Sequence, residues 1–170
     1  MCSADFHKTG SNPAYEGQII SASMELPGIF TTNDAEETFS LGKRLASLLE
    51  KGSVVALSGP LGAGKTCFAK GVAGGLGVKE ELTSPSYIIV SEHEGFLCGT
   101  EPVPVFHIDA YRLGGNDDFS AIGGEEIVFG EGVSLVEWSD RIDDFIPAWA
   151  FRVKIEINGH NKRIISIYRE

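Results

Sequence analysis

Short apolar runs punctuate this chain, and polar, glycine or proline residues bound each run. The clearest runs are Ser53 to Ser58, Val103 to Ile108 and Ser134 to Val136. Continuous apolar character with β-branched residues is typical of strands that are buried on both faces of a sheet. Tyr87 to Ser91 has the same character, and the glycine and proline residues between Ser91 and Val103 predict a loop. The mixed pattern of Ile19 to Ile29 indicates a first edge strand. We therefore predict a sheet of mostly buried strands.

The segment from Asn33 to Gly52 has the pattern of an amphipathic helix. Asn33 to Glu36 provides an N-cap with an acidic residue three positions on. Apolar and small residues then recur at steps of three and four, which places on one face Phe39, Gly42, Leu45, Ala46 and Leu49. Lys51 and Gly52 supply a cationic end and a glycine stop, so we predict that the helix ends there.

Three further segments carry weaker patterns. Lys65 to Leu76 has the pattern of a helix, although its internal glycines lower the intrinsic helix propensity. Gly114 to Gly124 is polar and has room for a pair of helical turns. Phe151 to Ile157 and Arg163 to Tyr168 alternate apolar and polar residues around Asn158-Gly159. This alternation predicts a C-terminal β-hairpin.

The composition limits the class of protein. At 170 residues, 42% hydrophobic and 22% charged, the chain has the size and composition of one globular domain. No window has the apolar length of a membrane span, and the first residues lack the apolar core of a secretory signal. We expect a soluble, cytoplasmic protein with a flexible extension at residues 1–17 and one domain at residues 18–170. Because the net charge of −10 repels polyphosphate, we expect contact with nucleic acid only through a partner.

The strongest candidate for chemistry is the octet GPLGAGKT at residues 59–66. It matches the phosphate-binding pattern G-x-x-x-x-G-K-S/T in full, and it lies between a predicted buried strand and a predicted helix, as that pattern requires. Glycines let backbone N–H groups approach phosphate oxygens, and a helix N-terminus favours negative charge. Lys65 would reach the terminal phosphates, and Thr66 would offer its hydroxyl to Mg²⁺. The expected nucleotide contacts are Gly59, Leu61, Gly62, Ala63, Gly64, Lys65, Thr66 and Cys67.

Two acidic residues follow buried strands and are candidates for a second magnesium anchor. Asp109 ends VFHID, and Glu137 ends SLVE. Each carboxylate would emerge at the mouth of the sheet, where the phosphate loop also lies. One carboxylate could hold the metal through water while the other orients the attacking water, and the residues alone do not assign them. His107 lies two residues before Asp109, so both side chains would face the same side of the strand. A lone histidine, however, more often makes a structural hydrogen bond to a neighbouring residue than acts as a catalyst.

The segment TSPSY at residues 83–87 follows the predicted phosphate-loop helix. On local grounds it is a proline turn that leads into a strand. Its functional interpretation is a loop that senses the terminal phosphate, with the hydroxyl of Ser84 or Ser86 near the metal.

The ordered set GPLGAGKT, SPSY, HIDAYRL and LVEW closely resembles one family, the TsaE (formerly YjeE) ATPases of bacterial tRNA threonylcarbamoyladenosine synthesis. The likeness runs from about Thr32 to about Pro147. Two positions depart from the family pattern. Pro60 stands where the family typically has aspartate, and Ser86 stands where its Ser-Pro-Thr motif has threonine. The proline should leave the phosphate contacts intact because the backbone of later residues makes them, and the serine keeps the hydroxyl.

This resemblance implies an α/β fold of the P-loop NTPase type, with three layers, a mixed central sheet and a C-terminal hairpin. It implies that the chain binds ATP or ADP with Mg²⁺, hydrolyses ATP slowly alone, and docks onto a TsaB-like and TsaD-like pair. That complex attaches a threonylcarbamoyl group to the adenosine next to the anticodon of tRNAs that read codons starting with A. The ATPase subunit would support repeated turnover without transferring the group itself.

The resemblance also assigns roles to residues. Lys65 would bind the phosphates, Thr66 and Glu137 would hold Mg²⁺, and Asp109 would serve hydrolysis. The segment entering the first helix, with Thr32 and Asp34, would lie near the nucleotide. A basic residue of the terminal hairpin would lie there too, either His160 or Arg163.

Two other functions compete with this interpretation. A free-standing small-molecule kinase on a P-loop core would need an arginine-bearing lid and a second substrate pocket, and the arginines of this chain do not cluster. A nucleotide-sensing module without useful catalysis would need neither Asp109 nor Glu137 for hydrolysis.

Overall fold

The computed structural model describes residues 26–80, 82 and 89–169 of the chain. Seven strands form one sheet, and they are β1 Gly28–Thr32, β2 Val54–Ser58, β3 Val90–Leu97, β4 Glu101–Asp109, β5 Val133–Glu137, β6 Phe151–Ile157 and β7 Arg163–Tyr168. Four α-helices accompany them, α1 Ala35–Ala46, α2 Lys65–Gly75, α3 Asn116–Ala121 and α4 Gly124–Val128. Short 3-10 helices span Ala110–Arg112, Ser139–Arg141 and Asp143–Phe145.

The sheet is mixed, with the strand order β1-β7-β6-β2-β5-β4-β3. Its centre is parallel, because β2 pairs in parallel with β5 and β6, and β4 pairs in parallel with β5. Both margins are antiparallel, through the β3–β4 pair on one side and through β6, β7 and β1 on the other. The predicted α/β fold with a mixed sheet and a C-terminal hairpin is therefore confirmed. The parallel register also brings the carboxyl ends of β2, β4 and β5 to one edge of the sheet.

Helices α1 and α2 cover one face of the sheet and enclose the larger core, which includes Leu45, Phe68 and Val72. Two glycines let these helices approach closely. A Cβ at Gly42 would collide with the Phe68 carbonyl oxygen, and a Cβ at Gly71 would collide with the Phe39 carbonyl oxygen. Gly71 was expected to weaken α2, and the structure shows that its missing side chain instead permits the packing of α2 on α1.

A smaller core lies on the opposite face, beneath α3, α4 and the 3-10 helices. Its buried residues include Ala56, Ile108, Phe119, Val136 and Ile142. The helices on the two faces and the sheet between them form the three predicted layers. Residues Val54 and Ala56 of β2 face the smaller core while Val55 and Leu57 face the larger one, so β2 is buried on both faces, as its apolar run predicts.

The first helix differs from its prediction at both ends. Its N-cap is Asp34, whose side chain accepts a hydrogen bond from the Glu37 N–H at 2.8 Å, while a Glu37 carboxylate oxygen accepts from the Asn33 N–H at 2.8 Å. The N-cap and its acidic partner are thus each one residue later than Asn33 and Glu36. The helix ends at Ala46 and not near Lys51, because Ser47 closes the last turn through its hydroxyl bond to the Arg44 carbonyl at 2.8 Å.

The strand predictions hold for the parallel centre and fall short at the β3 margin. The glycine and proline region after Ser91 was expected to be a loop, but β3 and β4 form a long hairpin whose turn follows Leu97. The polar segment Gly114 to Gly124 contains α3, as expected, and α4 begins at its last residue. Residues 1–17, the part of the predicted Ile19 to Ile29 edge strand that precedes Leu26, and TSPSY with Ser84 and Ser86 lie outside the described residues. Within the described ranges, no helix has the length and apolar character needed to span a membrane.

Candidate functional site

The octet forms the turn between β2 and α2, at the edge where the parallel strands end. Its first glycine approaches β6 so closely that a Cβ at Gly59 would collide with the Ile155 carbonyl oxygen. Gly64 is the N-cap of α2 and has a φ of 104°, a conformation that favours glycine. Ala63 between them is fully buried, whereas Leu61 at the tip is 77% exposed. The loop is therefore anchored at both ends and open at its tip.

Lys65 reaches from the first turn of α2 back to the start of the octet. Its ammonium donates hydrogen bonds to the carbonyl oxygens of Gly59 at 2.7 Å and Pro60 at 3.0 Å. The residue is buried, and this burial lowers the pKa of Lys65 below its ordinary value, whereas nearby carboxylates, that of Glu137 foremost, act in the opposite direction. A cation held against the inner side of the loop is placed to meet phosphate oxygens.

Trp138 completes the surroundings of this lysine. The Lys65 nitrogen lies 3.5 Å from the centroid of the Trp138 ring, a cation–π contact. Trp138 directly follows β5 and has a φ of 58°, an unusual value for a bulky residue. Its ring also lies 4.8 Å from that of Tyr111. The sequence placed Trp138 beside Glu137 but carried no signal for its contact with the lysine.

Thr66 and Glu137 meet at the centre of the site. The Thr66 hydroxyl donates to Glu137 Oε2 at 2.8 Å, across 71 residues of chain. The second oxygen of the same carboxylate, Oε1, lies 2.9 Å from His107 Nε2. Glu137 is buried and His107 is fully buried. The structure thus links a loop hydroxyl, a carboxylate and an imidazole in one hydrogen-bonded series.

Asp109 lies at the same edge, in register with Glu137 across the β4–β5 pair. Its Oδ1 accepts a hydrogen bond from the Tyr111 N–H at 3.0 Å, so the side chain caps the 3-10 helix that follows β4. The two carboxylates therefore emerge side by side, as expected from their positions at strand ends. Glu137 contacts the octet directly, and Asp109 is more exposed.

The terminal hairpin supplies the opposite side of the loop. Arg163 Nε donates to the Ala63 carbonyl at 2.9 Å, and its Nη2 donates to the Gly62 carbonyl at 3.2 Å. The side chain of Arg163, and not that of His160, is the basic group that contacts the octet. This contact spans about a hundred residues of sequence and arises because β6 returns beside β2 and β7 follows it.

A cavity of about 270 Å³ lies between this hairpin, the loop and the start of α1. Its lining includes Asp34, Thr38, Cys67, Asn161 and Arg163. Burial raises the pKa of the Cys67 thiol, whose sulfur lies 3.1 Å from the Ala35 carbonyl oxygen. The cavity thus brings together Asp34, Cys67 and Arg163, which the sequence singled out, and adds Asn161, for which the sequence carried no signal.

Thr32 does not line this cavity. Its hydroxyl lies 2.8 Å from that of Thr38, and the Thr38 hydroxyl can donate to the Asp34 carbonyl at 3.0 Å. Thr32 is 3% exposed. Thr32 therefore contacts the first turn of α1 through the Thr38 hydroxyl, and Thr38 lines the cavity.

The donor set of the site fits magnesium. Thr66 and Glu137 offer hard oxygen atoms at the mouth of the octet, and Mg²⁺ is usually held by one or two such protein groups together with phosphates. Among the described residues, no cluster of three or more histidine, cysteine, aspartate or glutamate side chains forms a metal cage. A metal that needs the nucleotide to complete its ligands suits this arrangement.

Comparisons with known proteins identify the family. The family model described as "Threonylcarbamoyl adenosine biosynthesis protein TsaE" matches residues 32–165. A relative from Treponema pallidum, named tRNA threonylcarbamoyladenosine biosynthesis protein TsaE, is 38% identical over 136 residues, which are 80% of this chain and 96% of the relative. A relative of the same name from Bacillus subtilis is 37% identical over 136 residues, covering 79% and 81% of the two chains.

A solved structure shares the fold. A crystal structure of YdiB from Bacillus subtilis superposes with a TM-score of 0.65 at 33% sequence identity, and the match covers 83% of this chain and 84% of that one. Residues 32–165, which the family model matches, include the octet, both carboxylates and the arginine of the hairpin. The chain belongs to the TsaE family.

Proposed function

We propose that this chain binds ATP with Mg²⁺, hydrolyses it, and serves as the ATPase subunit of the bacterial complex that forms threonylcarbamoyladenosine in tRNA. The observation that carries the proposal is the hydrogen bond between Thr66 and Glu137 beside the lysine of the octet. A glycine-rich turn alone would need none of these three groups. Together they supply a phosphate cation, a hydroxyl and a carboxylate within one small region.

The octet and its lysine bind the phosphates. Backbone N–H groups at the start of α2 point toward the loop, and the positive end of the helix favours negative charge. Lys65 exchanges its carbonyl contacts at Gly59 and Pro60 for phosphate oxygens, which offer it stronger, charge-assisted hydrogen bonds. Arg163 holds the far side of the loop through two of its carbonyl groups.

Thr66 and Glu137 hold the metal, and Asp109 positions the attacking water. When bound, Mg²⁺ supplies charge neutralisation to the terminal phosphates. The carboxylate of Glu137 is fixed by hydrogen bonds at both oxygens, which keeps it in place at the end of β5. Asp109 lies one strand away at the same level and is more exposed, so it can accept a hydrogen bond from water.

The biological role follows from the family. Relatives that share a third or more of the sequence are named for tRNA threonylcarbamoyladenosine biosynthesis. We assign the chain to the cytoplasm. We also propose that it docks onto a TsaB-like and TsaD-like pair, and that its ATP hydrolysis supports the turnover of that pair. The net charge of −10 agrees with a subunit that leaves contact with tRNA to its partners.

Depletion of the protein in its native cell tests this function. We expect threonylcarbamoyladenosine in bulk tRNA to fall, and we expect the wild-type gene, but not a Lys65→Ala gene, to restore it. Mass spectrometry of digested tRNA measures the modified nucleoside. A normal level after depletion contradicts the proposal and favours the small-molecule kinase. Purification from the same cell supplies a second test, since recovery without any TsaB-like or TsaD-like protein contradicts the partner assignment.

A further inference from the structure

His107 is the one histidine of the described residues that is fully buried and contacts the site. It lies on β4 between β3 and β5, and its side chain points to the same face as Val105. Its Nε2 lies 2.9 Å from Glu137 Oε1. A packing role alone would not require this polar ring, because an apolar side chain of similar size would fill the same space without a polar atom to satisfy.

The hydrogen-bonding pattern identifies which ring nitrogen carries the proton. A carboxylate oxygen only accepts, so the Nε2 atom facing Glu137 donates. The other nitrogen, Nδ1, is buried and has no hydrogen-bond partner among the described residues. A buried N–H at Nδ1 would be an unsatisfied donor, whereas a lone pair costs less free energy there. The ring therefore donates its Nε2–H to Glu137.

The two oxygens of Glu137 have different partners. Oε2 accepts from the Thr66 hydroxyl at the octet, and Oε1 accepts from His107 on the neighbouring strand. Rotation of the carboxylate about its last bond would break both contacts. The contact to His107 is the deeper of the two, because His107 is fully buried in the sheet while Thr66 is partly exposed.

We propose that His107 is a positioning residue, which fixes the Glu137 carboxylate so that its outer oxygen and the Thr66 hydroxyl are ready to receive Mg²⁺. The inference rests on the magnesium and nucleotide function proposed above and extends it to a residue inside the sheet. Partners that hydrogen-bond to metal ligands typically change metal affinity by about 10- to 100-fold when they are removed. His107 acts through Glu137 and does not contact the nucleotide.

Three substitutions separate positioning from packing. His107→Leu fills the space without a donor. His107→Gln carries an amide N–H the same number of bonds from Cα as Nε2, and His107→Asn carries its amide one bond short. Calorimetry measures the affinity for a non-hydrolysable ATP analogue with Mg²⁺ and with EDTA, and the ratio of the two affinities is the magnesium gain. Thermal unfolding of each variant reports stability separately.

We expect His107→Leu and His107→Asn to lower the magnesium gain about tenfold while the affinity in EDTA stays within about twofold of wild type. His107→Gln should retain most of the gain. In a Glu137→Gln background, His107→Leu should cause no further loss, because the carboxylate that the histidine positions is already gone.

Three results would overturn the proposal. They are a wild-type magnesium gain in His107→Leu, equal gains in the Gln and Asn variants, and an equal loss of affinity with and without Mg²⁺. If His107→Leu does not fold, the Gln and Asn pair decides the matter by itself. A wild-type protein without nucleotide binding or magnesium gain refutes the proposed function instead, so the two failures are distinguishable.

Discussion

The phosphate loop has two flanks that are built in opposite ways. The strand flank is formed by His107, Glu137 and Trp138, at or near the ends of parallel strands. His107 and Glu137 are buried, and Trp138 is partly buried. The hairpin flank, formed by Asp34, Cys67, Asn161 and Arg163, surrounds an open cavity and contacts the loop through hydrogen bonds to two backbone carbonyls. Charges of the strand flank are fixed in a desolvated region, where electrostatic interactions are strong. Those of the hairpin flank are closer to solvent, where the same interactions are weaker.

This contrast indicates a division of labour. Under the proposed function, the strand flank would hold the groups that act on the metal and the terminal phosphates, and the hairpin flank would shape the remainder of the nucleotide site. Substitutions in the strand flank should therefore change magnesium dependence and hydrolysis. Substitutions in the hairpin flank should change nucleotide affinity alone, and by less.

Lys65→Ala should have the largest effect, a loss of ATP affinity of about 100-fold or more. The phosphates lose a desolvated point charge whose hydrogen bonds to charged groups contribute about 1.5–3 kcal/mol each. Titration calorimetry measures the affinity. The matched control is Lys51→Ala, because Lys51 is half exposed and pairs with Glu101 on the surface at 2.8 Å, an interaction that contributes little. ATP binding by Lys65→Ala at wild-type strength would remove the phosphate-loop interpretation.

Glu137→Gln should come next, with ATP hydrolysis reduced about 100-fold and the magnesium gain lost. The substitution keeps the size of the side chain but removes the charge that faces Thr66. Asp109→Asn is the informative comparison, since it should reduce hydrolysis while leaving the magnesium gain close to wild type. Steady-state phosphate release and calorimetry provide the two readouts. Equal losses of magnesium gain in both variants would show that Asp109 is a metal ligand as well.

Arg163→Ala should lower nucleotide affinity about tenfold, equally with Mg²⁺ and with EDTA. Two hydrogen bonds that hold the loop carbonyls are lost, each contributing about 1 kcal/mol net. We expect most of this free energy, but not all of it, to be lost from nucleotide binding, because the bonds act on the loop and not on the nucleotide. Lys162→Ala is the control, because it removes a neighbouring exposed charge of the same hairpin without removing a contact to the octet. A loss confined to the magnesium-bound state would contradict the proposed separation of the two flanks.

The smallest expected effect is a change in the alkylation rate of Cys67, which tests whether nucleotide occupies the cavity. Because burial raises the pKa of the thiol, less thiolate is present at pH 8 than in an ordinary cysteine. The rate of its reaction with iodoacetamide should be low at pH 8. This rate should keep rising with pH after the rate for an ordinary, exposed cysteine has reached its plateau. Nucleotide should slow the reaction severalfold further. Peptide mapping by mass spectrometry follows the modified residue, and an unchanged rate with saturating nucleotide would place the ligand outside this cavity.

Local sequence was enough to predict much of the fold and part of the site. Apolar runs located β2, β4 and β5, and the octet located the turn and the start of α2. Asp109 and Glu137 were expected at one edge of the sheet because both end buried strands, and they lie there in register. These features depend on near neighbours in the chain, so a single segment contains the information.

Other features depend on residues far apart in the chain. Arg163 contacts Ala63 only because β6 pairs with β2 and β7 turns back along it. Gly71 is unfavourable for a helix by its intrinsic propensity, and only the close packing of α1 against α2 explains why a glycine is required there. The β3–β4 hairpin was missed because its prolines and glycines indicate a loop, whereas pairing with the buried β4 keeps β3 extended.

The sequence by itself predicted the class of ligand, since a glycine-rich turn with lysine and threonine at its end has one dominant chemical use. It also determined the family, through motifs that keep their order and spacing. Only the tertiary structure decided which groups share the loop: that Thr66 bonds to Glu137, that His107 holds the other oxygen, and that Arg163 and not His160 contacts the octet. The physical reason is that strand order and register are set by burial of the whole sheet, and they determine which distant side chains come within hydrogen-bonding distance.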